Sequence, residues 1–218
     1  MKKEDFFMPS LDCLEILESK LTTKESYLQN PVALRFESGY ITIKGYEKES
    51  KIFTLGFPNL EVAKSFTDAL LPIYSYHDKE TTNDVCIKMS RYIINGEAQL
   101  FMEELKTFLH GNPYGLTELD KREKYFQSCL YLMLRAIGFE PNAELQTCNA
   151  RMDMMLKTSR FIYIFELKTD SSAEEALNQI DEKGYYLPYI KSGKEVIKIG
   201  ANYSSSTNNI ERWIIEKF

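Results

Sequence analysis

The run Phe161-Ile162-Tyr163-Ile164-Phe165-Glu166-Leu167-Lys168 decides how this chain folds. It is aromatic and β-branched, contains no Gly or Pro, and is typical of a strand that is covered on both faces. Two charged residues end it, and a charge removed from water is costly unless it is paired or binds a metal. Because side chains alternate along a strand, Glu166 and Lys168 project from the same face.

The segment before this run supplies a third polar group. A two-residue turn at Thr158-Ser159 places Asp153 opposite Ile164, on the face of Glu166 and Lys168, whereas a longer loop or a bulge would turn it away. Two carboxylates and an ammonium on one face suit Mg²⁺, which keeps waters and substrate phosphate in its shell. A structural ion pair between Glu166 and Lys168 is an equally open reading of these three residues alone.

These residues resemble the PD-(D/E)XK nuclease superfamily, in which an aspartate on one strand and a Glu-x-Lys on the next bind a divalent metal. The resemblance covers residues 118–218 and is closest to the nuclease domain that follows an AAA-ATPase-like domain in many bacterial proteins. Besides the motif, it includes Arg151-Met152-Asp153, Ser172-Ala173-Glu174-Glu175-Ala176-Leu177, Gln179-Ile180, Lys183-Gly184-Tyr185 and Val196-Ile197-Lys198-Ile199-Gly200. The segments at 38–44 and 55–62 are similar to the region that joins the ATPase and nuclease parts.

The resemblance implies a metal site with defined roles. Asp153, Glu166 and the backbone carbonyl of Leu167 would hold Mg²⁺ or Mn²⁺, Lys168 would activate or orient the attacking water, and Gln179 would support it. The implied reaction is hydrolysis of a phosphodiester in a nucleic acid, with DNA favoured over RNA. A nuclease fold that binds nucleic acid without cleaving it, or that stays latent until a partner arrives, is the alternative.

A glutamate on the first core helix often joins the metal site in this superfamily. Glu123 is the best positional match, and Glu118 is the other candidate. The structural alternative is a solvated helix glutamate paired with a nearby Lys or Arg. The chain contains no Gly-x-x-x-x-Gly-Lys-Ser/Thr run, so ATP binding is not expected. An ATPase partner, or an ATPase domain outside this sequence, would supply that part.

Composition limits where such an activity can act. The net charge is −5, so any contact with DNA must be local. The candidate cluster is Lys183, Lys191, Lys194 and Lys198, which a solvated charged face explains better than a DNA contact. The four cysteines form no Cys-x-x-Cys pair, and no apolar run approaches a membrane span. We therefore expect a cytoplasmic protein with reduced thiols.

The pattern of the whole chain indicates an α/β fold in two parts. Residues 113–218 are expected to form a restriction-endonuclease-like core of order α-β-β-β-α-β with a mixed sheet, and residues 1–112 a small α+β module. Within that module, apolar residues at helical spacing predict a short helix at 11–17, and the runs at 40–44 and 51–55 predict a hairpin. Helices are predicted at 60–71, 85–94 and 97–109.

Overall fold

The computed structural model describes residues 14–22, 31–110, 119–146, 151–207 and 209–218. The first elements are two short helices and three strands, in chain order β1 (Leu14–Leu17), α1 (Glu18–Thr22), α2 (Pro31–Glu37), β2 (Thr42–Glu47) and β3 (Ile52–Gly56). The strands form an antiparallel sheet of order β1-β3-β2. The predicted hairpin is therefore confirmed as β2 and β3.

The helix predicted at 11–17 is wrong where the structure describes it. Leu14–Leu17 is a strand, and Leu14 pairs with Leu55 of β3. Leu14 and Ile16 alternate with more exposed neighbours and pack against the small core of Leu21, Ile41 and Leu55. The apolar residues at 14, 16 and 17 fit both the helical and the strand period. They form a strand because the edge of β3 is free to pair with them.

Three helices follow: α3 (Leu60–Ser75), α4 (Lys79–Asn95) and α5 (Ala98–Leu109). The side chain of Asn59 caps α3, which continues through Pro72 rather than ending before it. The side chain of Asp78 accepts a hydrogen bond from the amide of Thr81, so α4 begins six residues before the predicted start at 85. An aspartate at this position satisfies a free amide of the first turn, which explains the earlier start.

The remaining elements build the second sheet. In chain order they are α6 (Leu119–Ala136), β4 (Asn142–Gln146), β5 (Arg151–Lys157), β6 (Phe161–Thr169), α7 (Ala173–Lys183), β7 (Glu195–Ser204) and β8 (Asn209–Lys217). The five strands lie in the order β4-β5-β6-β7-β8, and only the β6–β7 pair is parallel. The predicted order α-β-β-β-α-β and the mixed sheet are confirmed.

The two faces of this sheet are covered by different helices. On β6, Phe161, Tyr163, Phe165 and Leu167 enter the main core, which also contains residues of α4, α5 and α6. The alternate residues Ile162 and Ile164 enter a second core, which they share with Leu177 and Ile180 of α7. The even-numbered residues of β6, and with them Glu166 and Lys168, therefore lie on the α7 face.

The main core joins elements from both halves of the chain. Phe57 and Phe101 belong to it together with Phe126 and Ile199, and Nε1 of Trp213 on β8 donates a 2.9 Å hydrogen bond to Gln99 on α5. A division into domains at residue 112 stays a prediction. None of the helices within the described ranges is both long and apolar enough to cross a bilayer.

Candidate active site

Strand pairing brings Asp153 beside Glu166. Met154 pairs with Phe165 and Lys157 with Ile162, so continuing the register by one residue sets Asp153 opposite Glu166. The prediction of Ile164 as its partner is wrong by two positions, because the turn lies one residue later than predicted: the Thr158 amide bonds to the Phe161 carbonyl and encloses Ser159 and Arg160. A displacement of two residues keeps the side chain on the same face, so Asp153 still joins Glu166 and Lys168.

Glu166 is the buried centre of the site, with 1% of its surface exposed. Its Oε1 accepts hydrogen bonds from the ammonium of Lys168, at 3.4 Å, and from the amide of Gln179. Its Oε2 is buried and has no hydrogen-bond partner among the described residues. Burial, reinforced by the nearby Asp153 carboxylate and opposed by Lys168, raises the pKa of Glu166 to about 8.

Lys168 and Gln179 form a bridge over Glu166. The ammonium of Lys168 donates to Oε1 of Gln179 at 2.6 Å, and Gln179 in turn donates through Nε2 to Glu166. The Lys168 side chain is 31% exposed, so its charge lies between the buried carboxylate and solvent. Each polar atom of this bridge meets a partner of complementary type, which fixes the orientation of the amide.

A glycine lets α7 carry Gln179 close to the sheet. Gly200 of β7 pairs with Glu166 of β6, and a Cβ added to it would lie 2.5 Å from the Leu177 nitrogen and 2.6 Å from the Ala173 oxygen. The backbone of α7 therefore rests directly on β7 at the level of Glu166. Ser172 caps the start of α7 by accepting a hydrogen bond from the Glu175 amide.

The backbone of Leu167 also faces the site. Its amide donates a 2.8 Å hydrogen bond to Oδ2 of Asp153 rather than to the backbone of β5. Because the N–H and C=O of one strand residue point to the same side, the Leu167 carbonyl is directed towards β5 and Asp153 as well. The predicted role of this carbonyl as a metal ligand agrees with that direction and stays a prediction.

Comparison with known proteins bears on this arrangement. Residues 121–213 match the model of the PD-(D/E)XK nuclease superfamily, and the match contains Asp153, Glu166, Lys168 and Gln179. Residues 121–213 belong to the PD-(D/E)XK nuclease superfamily. The predicted family is thereby confirmed for this segment.

One relative extends the similarity to nearly the whole chain. A protein of Azotobacter chroococcum mcd 1, described as an uncharacterized protein in the vnfD 5' region, is 26% identical over 217 residues. The aligned part is 96% of this chain and 42% of the relative, so this chain spans less than half the length of that protein. No solved structure matches the chain significantly.

The donors present fit the divalent metal on which PD-(D/E)XK nucleases usually depend. The described residues contain no cluster of three or more His, Cys, Asp or Glu side chains, and Asp153 and Glu166 supply two carboxylates. Mg²⁺ is commonly bound by one or two carboxylates with water and substrate phosphate completing its shell, so two are sufficient. The buried, unshared Oε2 of Glu166 is the oxygen that most needs such a partner.

Two predicted glutamates lie outside what the structure describes. Glu118 is not among the described residues, and Glu123 belongs to α6 but its side chain is not described. The helix α6 packs through Phe126 and Leu130 in the main core, on the sheet face opposite to Glu166. A role for either glutamate stays a prediction.

Two lysines of the predicted basic cluster, Lys194 and Lys198, have partners outside the site, while a role for Lys183 and Lys191 stays a prediction. Lys198 is buried at 4% exposure and pairs with Asp181 and Glu216, at 2.6 and 2.7 Å. Lys194 donates to the Thr158 carbonyl at the far end of β5, away from Asp153. These lysines are close in the sequence, but Lys194 lies in the connection between α7 and β7, whereas Lys198 lies within β7.

Two residues of the site were not recognised as part of it from the sequence. The signal for Gly200 is its place inside a strand, because such a glycine often marks a close backbone approach. Tyr185 belongs to a group of tyrosines typical of core or edge packing; it is buried, and its side chain also hydrogen-bonds Gln179. No pattern in the sequence indicates that second contact.

Proposed function

We propose that this chain hydrolyses phosphodiester bonds in DNA with Mg²⁺ or Mn²⁺. The observation that carries the proposal is the buried Oε2 of Glu166, which lacks a partner among the described residues while Asp153 and Lys168 lie beside the same carboxylate. An unsatisfied buried carboxylate oxygen is costly, and binding a hard cation removes that cost. Its burial next to a second carboxylate is a reason to place the cation here rather than at the surface.

Each residue of the site would have a defined role in the reaction. Asp153, Glu166 and the carbonyl of Leu167 would hold the metal, which when bound lowers the pKa of a coordinated water and neutralises charge on phosphorus. The ammonium of Lys168 is held by Glu166 and Gln179 and would orient the water or stabilise the developing charge. Gln179 would keep the ammonium at this position, because its amide contacts both Lys168 and Glu166.

The wider setting of the activity is also part of the proposal. DNA is the expected nucleic acid. An ATPase, either a partner or a further domain, would deliver it, as the resemblance to nuclease domains that follow an AAA-ATPase-like domain implies. Cys86 and Cys129 form no disulfide within the described residues, which suits action in the reducing cytoplasm.

The test is cleavage of linear and circular DNA, and of RNA, with Mg²⁺, with Mn²⁺ and with chelator. Glu166→Ala should abolish metal binding and cleavage together, while Lys168→Ala should retain the metal and lose turnover. Lys88→Ala is the matched control, because it removes an exposed lysine that pairs with Glu104 on the helical face remote from β6. Cleavage retained by Lys168→Ala refutes its role, and metal-independent or absent cleavage by the wild type refutes the proposed reaction.

A latent nuclease is the second candidate, favoured by one observation. Oε1 of Glu166 accepts hydrogen bonds from both Lys168 and Gln179, so these three groups stabilise one another. Such a module would bind metal and nucleic acid but cleave only when a partner ATPase or a DNA end is supplied. Metal would then raise the melting temperature without cleavage, because a ligand that binds only the folded state stabilises it.

A further inference from the structure

The amide of Gln179 has a defined orientation and one hydrogen left to place. Its Oε1 faces the ammonium of Lys168, which can only donate, and its Nε2 faces the carboxylate of Glu166. One amide hydrogen is used by Glu166, so the second still needs an acceptor. The Lys168 side chain, 31% exposed, depends on this amide for its position.

The turn after α7 brings a phenol to this amide. Gly184 has φ 62°, and the amides of Gly184 and Tyr185 bond back to the carbonyls of Asp181 and Ile180, at 3.1 and 3.2 Å. This C-terminal cap reverses the chain and sends the Tyr185 ring back into the core between α7 and the sheet. There the ring is 1% exposed and its side chain hydrogen-bonds Gln179.

We propose that Tyr185 is the positioning residue of this site: its phenol oxygen accepts the second amide hydrogen of Gln179 and thereby fixes the amide between Lys168 and Glu166. The proposal rests on the proposed nuclease function, since it assigns what keeps Lys168 in place during turnover. In this proposal Tyr185 acts on Lys168 through Gln179.

A tyrosine that only fills the core makes a different prediction, and this chain contains such a tyrosine. Tyr163 lies on β6 with no exposed surface, and its hydroxyl donates a 2.7 Å hydrogen bond to the Ile93 carbonyl on the opposite face of the sheet. Tyr163→Phe and Tyr185→Phe thus each remove one buried hydroxyl with a hydrogen bond and keep the ring. Any general effect of removing a buried hydroxyl appears in both variants.

The first measurement is steady-state DNA cleavage by the full chain with Mg²⁺. Tyr185→Phe should lower kcat about fivefold to tenfold, the effect of one hydrogen bond, with KM and Mg²⁺ affinity within about twofold of wild type. Tyr163→Phe should leave kcat unchanged. An equal loss of kcat in both variants, or a loss of Mg²⁺ affinity confined to Tyr185→Phe, would overturn the assignment.

A double-variant cycle tests whether Tyr185 acts through Gln179. If it does, Tyr185→Phe combined with Gln179→Ala should be no slower than Gln179→Ala alone, because the amide that Tyr185 positions is already absent. Losses that multiply in the double variant would show an independent role and overturn the proposal.

A readout without turnover separates this proposal from the proposed function. The side-chain amide hydrogens of Gln179, followed by nuclear magnetic resonance, should exchange with water several-fold faster in Tyr185→Phe and at the wild-type rate in Tyr163→Phe. If the wild type cleaves no nucleic acid, the proposed function fails, while this exchange experiment still decides the role of Tyr185. Unchanged exchange in Tyr185→Phe overturns it.

Discussion

Gly200→Ala is the sharpest test of how α7 is placed. The new Cβ would lie 2.5 Å from the Leu177 nitrogen, whereas ordinary contacts begin at 3.4 Å, so α7 must retreat by about 0.9 Å. Overpacking of this kind costs about 1–3 kcal/mol of unfolding free energy. Gln179 moves with the helix and leaves Lys168, and a misplacement of about 1 Å can lower turnover about 100-fold. Asp153 and Glu166 belong to the strands, so metal affinity should change little.

The assay combines urea unfolding, Mg²⁺ titration and single-turnover cleavage. Gly45→Ala is the matched control: Gly45 also lies in a strand without a positive φ, and its added Cβ would meet only Thr54, at an ordinary 3.7 Å. The control should lose neither stability nor turnover beyond about 0.5 kcal/mol or twofold. Gly200→Ala with wild-type stability and turnover would show that the close approach of α7 does not position Gln179, and the reasoning would fail.

Three further predictions concern stability and reactivity. Burial opposes the charge of Lys198, but its hydrogen bonds to Asp181 and Glu216 outweigh this and raise its pKa. The stabilisation of the folded state by Lys198 is therefore complete below the ordinary pKa of 10.5, and it is lost as the pH rises through the pKa that Lys198 has in the folded state. Urea unfolding should show this alkaline loss in wild type and not in Lys198→Met, which at pH 7 should cost about 1 kcal/mol because both carboxylates regain water. Asp78→Ala should lower the free energy of unfolding by about 1 kcal/mol because it removes the α4 cap. Asp78→Asn should retain most of that stability because the asparagine oxygen can accept the same hydrogen bond. Burial raises the pKa of Cys86 to about 11, so mass mapping should find its alkylation slow at pH 8, and rapid reaction there would contradict its burial.

The sequence predicted the second sheet well because its central strand is unambiguous. An uninterrupted apolar run from Phe161 that ends in Glu166 and Lys168 admits few alternatives, and both faces of β6 are indeed covered. The face of Asp153 was predicted correctly despite the wrong partner. Which face a side chain takes depends only on whether the register error is even or odd, and here the error was two.

The failures come from contacts that lie far apart in the sequence. Leu14 and Ile16 form a strand because β3 offers a free edge, and no local pattern contains that information. Lys198 was grouped with surface lysines by spacing, but the pairing of β6 with β7 places it under α7 between Asp181 and Glu216. In both cases tertiary pairing, which spacing does not encode, decides the outcome.

The site is assembled from two supports that respond to different changes. Asp153 and Glu166 are fixed by the ladder of the sheet, whereas Lys168 reaches its position through Gln179, and Gln179 depends on how closely α7 lies on Gly200. Changes in the strands should therefore remove metal binding and turnover together, while changes that loosen α7 should remove turnover alone. Because a purely structural ion pair between Glu166 and Lys168 gives no reason for such a division, finding both patterns would favour the catalytic reading over the structural one.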